Sequence, residues 1–508
     1  MNQRPPRENR NAHRKNHQEE EEEECPRVSL PSCPAADDAG EDARRPLPAL
    51  LVPSLWLYVL VLLAALAMPC RALCPNNCTC DDKALAVRCE ASNIDVLPFT
   101  FNPALQQLSM YGTEIHTLDT HSLLWYPDLL HVKPKTFEMQ VHLEELHLAQ
   151  NNISELEADM FIGLSKLIVL SLRGNSIESL DGGVFIQLKQ LKDLDLSENR
   201  IERLDNQALA GLSNLRVLHL RDNRLTEIPA QNLALVPDLA ELSLGGNEFT
   251  EIKDTDFEAM RTLKDLDLSG TELNEGLSRN SLQGLSLLSK LNLEDCRLTH
   301  VPTEALSHLS KLEELHIGRN LFTTLPPDAF KENRRLHSLF VSGCLHLLHV
   351  EKDVLGHNMN IREVVITQNP SLTYIAQDAF RFLPELSVLD LHGNNLQQIS
   401  EQAASWKDIA HWSLDGNPIK CNCSAAWLRQ LTKAPNSSES VKCASPPHLA
   451  GKSLHSVELS DLACGMDPAT QGLGHRLRGR GGGFDHCSHD NFQGYIMTPH
   501  KPVPVTEL

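Results

Sequence analysis

The sequence has few aromatic residues and no excess of basic ones. Phe, Trp and Tyr make up 5% of the 508 residues, while the whole hydrophobic set reaches 41%, so aliphatic side chains must supply most of any core. The formal net charge is −21. Because nucleic-acid binding needs a basic surface that contacts phosphates, this charge argues against a nucleic-acid partner.

Recognisable catalytic motifs are also lacking. No G-x-S-x-G, H-E-x-x-H or G-x-G-x-x-G occurs, and these patterns mark hydrolase nucleophiles, zinc proteases and dinucleotide sites. The stretch AGKS (450–453) resembles a phosphate-binding loop, but Pro446 stands where its first glycine should be. We therefore expect no enzyme activity, no cofactor or metal, and no small-molecule substrate.

A single long apolar run is present, and no second run follows Cys464. It covers Leu47–Met68, follows two arginines and ends close to CRA (70–72), a small-x-small pattern typical of signal-peptide cleavage. We interpret residues 47–72 as a signal peptide.

The segment before this run, residues 1–46, is polar, includes six consecutive glutamates (19–24) and is predicted to be disordered. It is long for the charged region of a signal peptide, so two alternatives remain. One is a start codon chosen too far upstream, and the other is an uncleaved signal anchor that spans a bilayer. All three interpretations place the chain after Cys74 outside the cytosol, either secreted or membrane-anchored.

A leucine pattern with a period of about 24 residues fills the middle of the chain. In LKDLDLSENRIERL (191–204) the apolar residues stand three apart, then two, then five, around an asparagine. This spacing fits L-x-x-L-x-L-x-x-N-x-L, the leucine-rich repeat. Its first position recurs at Leu105, Leu143, Leu167, Leu191, Leu215, Leu239, Leu263, Leu288, Leu312, Leu336, Ile361, Leu386 and Ile409.

Each repeat is expected to form one coil of a solenoid. The L-x-L segment predicts a short strand with leucines inward and the intervening residue outward, and the asparagine then turns the chain and satisfies unpaired backbone groups. The asparagine recurs at Asn151, Asn175, Asn199, Asn223, Asn247, Asn320, Asn369, Asn394 and Asn417, and is replaced by Thr113, Thr271, Cys296 and Cys344. A convex row of rings is expected at Phe137, Phe161, Phe185, Phe257, Phe330 and Phe380.

The interval from Leu105 to Leu143 is irregular. It is 38 residues long, ten short of two repeats. The segment YPDLLHV (126–132) carries Leu129 at a repeat start, after which the chain jumps to KPKTF (133–137), which fits the end of a repeat. The pattern indicates that the middle of one coil is missing, through either a truly irregular coil or an error in the coding sequence.

Eight of the fourteen cysteines form two clusters that bracket the repeats. The first lies in CPNNCTCDDKALAVRC (74–89), and the second begins in NPIKCNCSAAWLRQL (417–431). In an extracellular chain such clusters indicate disulfides, although the sequence alone does not choose among the connectivities. Zinc binding by Cys421 and Cys423 is the competing interpretation.

The caps and the repeats between them resemble the extracellular leucine-rich repeat family with cysteine-rich N- and C-terminal caps, which includes Slit, the Nogo receptor and Toll-type ectodomains. The C-terminal cap pattern N-P-x-x-C-x-C followed by W-L is matched at Asn417, Pro418, Cys421, Cys423, Trp427 and Leu428. The resemblance implies an α/β fold, a leucine-rich repeat solenoid with a curved parallel β-sheet on its concave face and disulfide-bonded caps. The pairs that it implies are Cys74–Cys80, Cys78–Cys89, Cys421–Cys443 and Cys423–Cys464.

The expected organisation is a cap at 73–104, repeats at 105–418, a second cap at 419–464 and a disordered tail at 465–508. Cys296 and Cys344 stand two coils apart, too far to pair, and are expected to be buried free thiols. N-glycosylation is expected at the sequons of Asn77, Asn152, Asn422 and Asn436.

Outward strand residues should form the concave surface. Acidic residues gather there at Asp193, Asp195, Glu241, Asp265 and Asp267, with Arg173 and Arg221 at their border. Phe340 and Val365 take outward positions where Ser, His or Asp is usual, which is typical of a binding anchor. A functionally neutral apolar pair is the alternative. The outward histidines at 147, 219 and 316 are expected to be solvated and too far apart to share a metal.

Together these features predict an extracellular protein that binds proteins through its concave face in cell adhesion, recognition or receptor-type signalling. The alternative is a structural extracellular-matrix leucine-rich protein. The expected partner is an extracellular or cell-surface protein ligand, and the chain is also a candidate homo-oligomer.

Overall fold

The structure, a computed structural model, describes Cys74 and residues 78–81, 83–90, 104–111, 137–138, 140–157, 159–274, 276–431 and 441–462. All of them belong to one compact unit, Arg71–Leu508. The predicted signal segment and the two segments predicted to be disordered lie outside the described residues. Among the residues that are described, no helix is long and apolar enough to cross a membrane.

Short strands dominate the described structure. In chain order they are β1 (Cys78–Asp81), β2 (Ala86–Glu90), β3 (Gln107–Tyr111), β4 (Glu145–His147), β5 (Val169–Ser171), β6 (Ser179–Leu180), β7 (Asp193–Asp195), β8 (Arg203–Leu204), β9 (Val217–His219), β10 (Glu241–Ser243), β11 (Asp265–Asp267), β12 (Lys290–Asn292), β13 (Glu314–His316), β14 (Thr324–Leu325), β15 (Ser338–Phe340), β16 (His349–Val350), β17 (Glu363–Val365), β18 (Tyr374–Ile375), β19 (Val388–Asp390), β20 (His411–Ser413), β21 (Ile419–Lys420) and β22 (Cys443–Ser445). The α-helices are α1 (Ala230–Leu233), α2 (Thr303–Leu306) and α3 (Ala426–Leu431).

The main sheet has 15 strands in the order β1-β2-β3-β4-β5-β7-β9-β10-β11-β12-β13-β15-β17-β19-β20. The first pair is antiparallel, and each later strand lies parallel to the one before it. In this sheet, each strand from β3 onward belongs to a different predicted repeat. The predicted parallel β-solenoid with one strand per coil is therefore confirmed.

The core lies on the inner side of this sheet. In β7 and β9 the central residues Leu194 and Leu218 have no exposed surface, while their outward neighbours are half-buried. The predicted row of rings is also confirmed, because all six phenylalanines are at most 2% exposed. Full burial of a leucine or phenylalanine side chain contributes about 1.5–3 kcal/mol, so stacking of coils provides the main stabilisation.

The ladder asparagines connect neighbouring coils. Asn199 Nδ2 donates to the carbonyls of Leu172 in the preceding coil at 3.0 Å and of Leu196 in its own coil at 3.0 Å, and its Oδ1 accepts from Ile177 N at 3.1 Å. Each of the other predicted ladder asparagines is buried and likewise donates to a carbonyl of the preceding coil. Cys296 Sγ follows the same rule and donates to the Leu268 carbonyl of the preceding coil at 3.2 Å, whereas Thr271 Oγ1 donates to that carbonyl from within the same coil at 2.7 Å.

The two strands on either side of the irregular interval pair directly with each other. Gln107 of β3 pairs directly with Glu145 of β4, and Leu108 pairs with Leu146. Since β3 and β4 are adjacent, the main sheet has no place for a strand between them. The direct pairing is consistent with the prediction that the middle of one coil is missing, and the start of a second coil at Leu129 stays a prediction. Residues 112–136 themselves lie outside the described residues.

The N-terminal cap extends the main sheet. The β1–β2 hairpin pairs Cys78 with Cys89, and β2 then runs parallel to β3. The predicted bridges Cys74–Cys80 and Cys78–Cys89 are both present. The cap thus covers an end of the solenoid where the sheet edge and apolar core would otherwise be exposed.

The C-terminal cap closes the other end. The pair β21–β22 and helix α3 lie here, and the bridge Cys421–Cys443 is present. Because Cys421 is disulfide-bonded, the zinc interpretation is wrong. Cys423 is exposed and Cys464 lies outside the described residues, so their pairing stays a prediction. Three indole rings pack at this end, with the Trp406 ring 5.8 Å from that of Trp412 and 5.5 Å from that of Trp427.

Candidate functional site: the concave face

The concave face consists of the outward residues of the main sheet. Because the strands are in register, these residues form two rows across the coils, one through Asp193, Val217, Glu241, Asp265 and Lys290 and one through Asp195, His219, Ser243, Asp267 and Asn292. At about 4.8 Å per strand, the five predicted acidic residues occupy about 15 Å of the face. The structure therefore brings all five together.

Three of these carboxylates form no close ion pair with a basic side chain. Among the described residues, no Lys or Arg forms an ion pair with Asp193, Asp195 or Asp265, and Glu241 Oε1 lies 3.9 Å from His219 Nε2. Burial raises the pKa of the Asp193 and Asp265 carboxyl groups; repulsion from Glu241 adds to the effect in both, while His219 opposes it at Asp193 and Lys290 opposes it at Asp265. The face thus holds half-buried negative charge that the chain compensates only in part.

Asp267 differs because Arg221 reaches it across a whole coil. Arg221 Nη1 lies 2.7 Å from Asp267 Oδ2 and also donates to Ser269 Oγ at 2.7 Å. Gly245, in the intervening coil, makes this crossing feasible, since a Cβ there would lie 2.4 Å from Arg221 Nη1. Arg221 therefore lies within the acidic region and compensates one of its members.

Arg173 is used elsewhere. Its Nη2 lies 2.5 Å from Glu198 Oε1, and this hydrogen bond raises the pKa of Arg173 and lowers that of Glu198. Gln150 Nε2 donates to the other carboxylate oxygen of Glu198 at 3.1 Å. Arg173 thus lies at the border, as predicted, but bonds to none of the five acidic residues.

Phe340 is supported by a neighbouring ring. Its ring stacks on that of His316, with centroids 4.3 Å apart and planes 10° apart. His316 is itself held by Glu314, whose Oε1 lies 2.9 Å from His316 Nε2. The Phe340 ring is therefore half-buried against a partner that a carboxylate holds in place.

Val365 completes the apolar anchor. It is the register neighbour of Phe340 on the next strand, and both are half-buried. Small residues border the ring, since Ser338 and Ser342 lie before and after it along the chain and Gly318 lies one coil away. The remaining ring surface is therefore accessible from the concave side.

The histidines lie beside carboxylates and not beside one another. His147 Nε2 lies 3.5 Å from Glu145, and His392 Nδ1 lies 2.9 Å from Asp390. Within the described part of the chain, no group of three or more His, Cys, Asp or Glu residues could hold a metal ion. Each of these two histidines therefore has a carboxylate neighbour.

Family profiles match the repeats and the C-terminal cap. The profile described as "Leucine rich repeat" matches residues 123–177, 165–225, 237–298, 288–345 and 359–419, more than half of the chain. The profile "Leucine rich repeat C-terminal domain" matches residues 440–465. The chain is a leucine-rich repeat protein.

Several known leucine-rich repeat proteins are similar to this one. The high affinity nerve growth factor receptor of Mus musculus is 34% identical over 95 residues, which cover 19% of this chain and 12% of the receptor. Trophoblast glycoprotein of Macaca fascicularis is 28% identical over 232 residues, which cover 35% of this chain and 54% of that protein. This leucine-rich repeat protein therefore matches about half or less of the length of these relatives.

A solved structure also shares the fold. A leucine-rich repeat protein of Leptospira interrogans superimposes with a TM-score of 0.55 and 26% identity, covering 68% of this chain and 81% of that chain. This likeness shows that the solenoid architecture is shared with a protein of known structure.

Two predicted glycosylation sites lie within the described residues of this leucine-rich repeat protein. Asn152 and Asn422 are exposed, as glycan attachment requires. Asn422 Oδ1 accepts from Ser424 N at 3.1 Å and from Ser424 Oγ at 2.6 Å, within its own sequon. Asn77 and Asn436 lie outside the described residues.

One apolar surface was missed by sequence reasoning. Leu321, Leu345, Leu348 and Tyr374 are exposed on the flank, the side of the solenoid formed by residues that follow the ladder position. The repeat pattern places leucines inward and so directs attention away from them. A signal was present, because Leu321 and Leu345 directly follow the ladder residues Asn320 and Cys344, where Arg or Glu follows in most of the preceding coils.

Proposed function

We propose that this protein binds an extracellular or cell-surface protein on its concave face, in cell adhesion, recognition or receptor-type signalling. The observation that carries the proposal is the set of half-buried carboxylates on β7 and β11 that form no close ion pair, Asp193, Asp195 and Asp265. Negative charges held partly out of water without a close cation are typical of a surface that awaits a charged ligand.

The chemistry of the face defines the partner. Lys or Arg side chains of the ligand would pair with Asp193, Asp195 and Asp265, while an apolar side chain would contact Phe340 and Val365. From β7 to β17 the two regions extend over about 35 Å, at about 4.8 Å per strand. A folded protein domain with a basic patch and an apolar projection spans this length, whereas a small molecule does not.

The relatives support a recognition role over a structural one. The name of the mouse protein states that it is a high affinity receptor for nerve growth factor, and it shares a 95-residue matched segment with this chain. We infer that the present chain likewise takes a protein ligand. No finding favours the matrix alternative.

The proposed location is extracellular, by secretion or by the N-terminal apolar run acting as an anchor. Expression of the full chain in animal cells should place it in the medium or on the cell surface. Treatment with an N-glycosidase should lower its mass on a gel if Asn152, Asn422 or the other sequons carry glycans. Retention of unglycosylated chain in the cytosol would contradict the proposal.

A binding screen tests the function directly. The full chain would be recovered from medium or displayed on cells. It would then be probed against a panel of recombinant ectodomains of cell-surface proteins whose surface charge is known. We expect the partners found to carry a basic surface and to lose binding to Phe340→Ala or Asp265→Asn. If the partners bind both variants as tightly as the parent, the ligand site does not lie on the concave face but on a flank, a cap or the convex side.

A further inference from the structure

The flank carries an exposed apolar cluster on three consecutive coils. We define the flank patch as Leu321, Leu345, Leu348 and Tyr374, whose exposed fractions are 40, 63, 41 and 50%. Large apolar side chains exposed together, and not scattered singly, mark interaction surfaces on soluble proteins.

Backbone pairing makes the flank patch continuous. Strands β14, β16 and β18 form a parallel three-stranded sheet on this side, in which Tyr374 is the register neighbour of His349. Leu348 N donates to Thr323 O at 2.8 Å, and Tyr374 N donates to Leu348 O at 3.4 Å. The four side chains therefore project from directly bonded coils and form one surface.

The flank of the earlier coils has the opposite chemistry. There the corresponding side chains form ion pairs, with Arg224 Nη1 3.4 Å from Glu202 and Arg297 Nη2 2.6 Å from Glu272. In contrast, the stretches 320–325, 344–350 and 369–376 contain no Asp, Glu, Lys or Arg. The change from ion pairs to apolar residues is thus confined to the flank patch and the uncharged residues around it.

We propose that two copies of this chain pair through the flank patch. The formal net charge of −21 opposes contact between copies over most of the surface. The flank patch is a region where two identical surfaces can meet without placing like charges together. An uncharged apolar contact is also self-complementary, which a two-fold interface requires.

The arrangement of the four side chains suits a two-fold axis. Leu345 and Leu348 lie on the middle coil, with Leu321 on the coil before and Tyr374 on the coil after. An axis through the middle coil brings Leu345 and Leu348 against their own copies and places Leu321 of one protomer opposite Tyr374 of the other. Each apolar side chain then meets an apolar partner.

The pairing leaves the ligand surface free. The flank patch and the anchor of Phe340 and Val365 lie on different sides of the same coils, so each protomer keeps its own concave face. A dimer would therefore present two ligand sites and bind a clustered or dimeric ligand with increased avidity. Stable interfaces bury about 800 Å² per partner, more than four partly exposed side chains supply, so we expect a weak dimer in the micromolar range.

Sedimentation equilibrium of the purified full chain across the micromolar range tests whether two copies pair through the flank patch. We expect the parent to shift from monomer to dimer as concentration rises, and Leu345→Asp and Leu348→Asp to weaken the dimer at least tenfold. Leu287→Asp is the matched control, since Leu287 is also 41% exposed but lies just before β12, outside the flank patch. If an aspartate variant is not secreted, Tyr374→Ser replaces it.

Two results would overturn the proposal. One is a parent that stays monomeric at the highest concentration. The other is a dimer that survives Leu348→Asp and disappears with reductant. That result would assign the association to an intermolecular disulfide, for example through Cys487 in the C-terminal tail. Dimerisation and the proposed ligand binding are separable, because Phe340→Ala should leave the dimer unchanged and Leu348→Asp should leave the affinity of each concave face unchanged.

Discussion

At the scale of single residues, the ladder asparagines and the concave aspartates represent two different uses of buried polarity. Asn199 satisfies backbone groups of two coils and is fully engaged within the fold. Asp193 and Asp265 lie in a surface whose burial disfavours their charged forms. The first kind of residue stabilises the solenoid, and the second costs stability that we assign to ligand binding.

Asn199→Ala should destabilise the solenoid strongly. It leaves the Ile177 N–H without its side-chain acceptor, and an unsatisfied buried group costs about 1–3 kcal/mol. It also removes one of the two amide donors to the Leu172 carbonyl, which keeps only Asn175. We expect a loss of roughly 2 kcal/mol or more in the free energy of unfolding, measured by denaturant titration. Asn206→Ala, at an exposed position, is the control and should change little. Equal stabilities of the two variants would contradict the ladder's role.

Asp265→Asn should stabilise the fold while weakening ligand binding. Burial raises the folded-state pKa of Asp265 above its ordinary value of 3.8. Protonation of Asp265 therefore favours the folded state. This contribution to stability is fully present below pH 3.8 and is lost as pH rises through the folded-state pKa. The stability difference between variant and parent should therefore grow as pH rises through this window and persist at neutral pH.

Thermal melts at several pH values check this expectation, with Asp408→Asn at an exposed position as the control. The affinity for a basic partner should fall mostly at low salt, because such charges act mainly through screened electrostatics. A lower melting temperature for Asp265→Asn at neutral pH would show that the carboxylate serves folding.

Residues could be predicted from the sequence where repeat geometry alone determines their contacts. Asn199 and the phenylalanine row occupy fixed positions in the coil, so their burial follows from spacing. The Arg221–Asp267 pair could not be predicted in this way, because it spans two coils and depends on the missing side chain of Gly245. The stacking of Phe340 on His316 likewise depends on rotamers that spacing does not determine.

At the scale of elements, the N-terminal cap and the interval after it show where local pattern suffices. The compact cysteine cluster predicts a disulfide-bonded cap, whereas the observed pairs Cys74–Cys80 and Cys78–Cys89 were implied only by the family resemblance. The direct pairing of β3 with β4 could not be read from spacing alone, because Leu129 stands at a repeat start between them. Spacing therefore predicts strands reliably only where the neighbouring coils have regular length.

Reduction should destabilise the chain through its caps. The bridges Cys74–Cys80, Cys78–Cys89 and Cys421–Cys443 hold the two ends, and loss of a native bridge typically costs about 2–5 kcal/mol. We expect a lower melting temperature in reductant. Burial raises the pKa of the Cys296 and Cys344 thiols to about 11, so these should stay unmodified by thiol reagents until the solenoid unfolds. A melting temperature that is insensitive to reductant would argue against a role for the bridges.

At the scale of the whole molecule, one solenoid presents two surfaces of different chemistry. The concave face combines partly compensated carboxylates with a supported aromatic anchor, which suits a basic protein ligand. The flank patch is apolar and uncharged, which suits a second copy of the same chain. Both lie on a scaffold whose strand register, and hence whose spacing of side chains, is set by the repeats.

The affinity of Phe340→Ala for a partner recovered in the ectodomain screen is the measurement that tests the central claim most directly. Truncation of an interface anchor commonly costs about 2 kcal/mol or more, so we predict at least tenfold weaker binding with unaltered secretion and melting temperature. Leu287→Ala, which truncates an exposed leucine off the concave face, should bind like the parent. If Phe340→Ala binds its partner as tightly as the parent does, the concave anchor is not the ligand site and the account is contradicted.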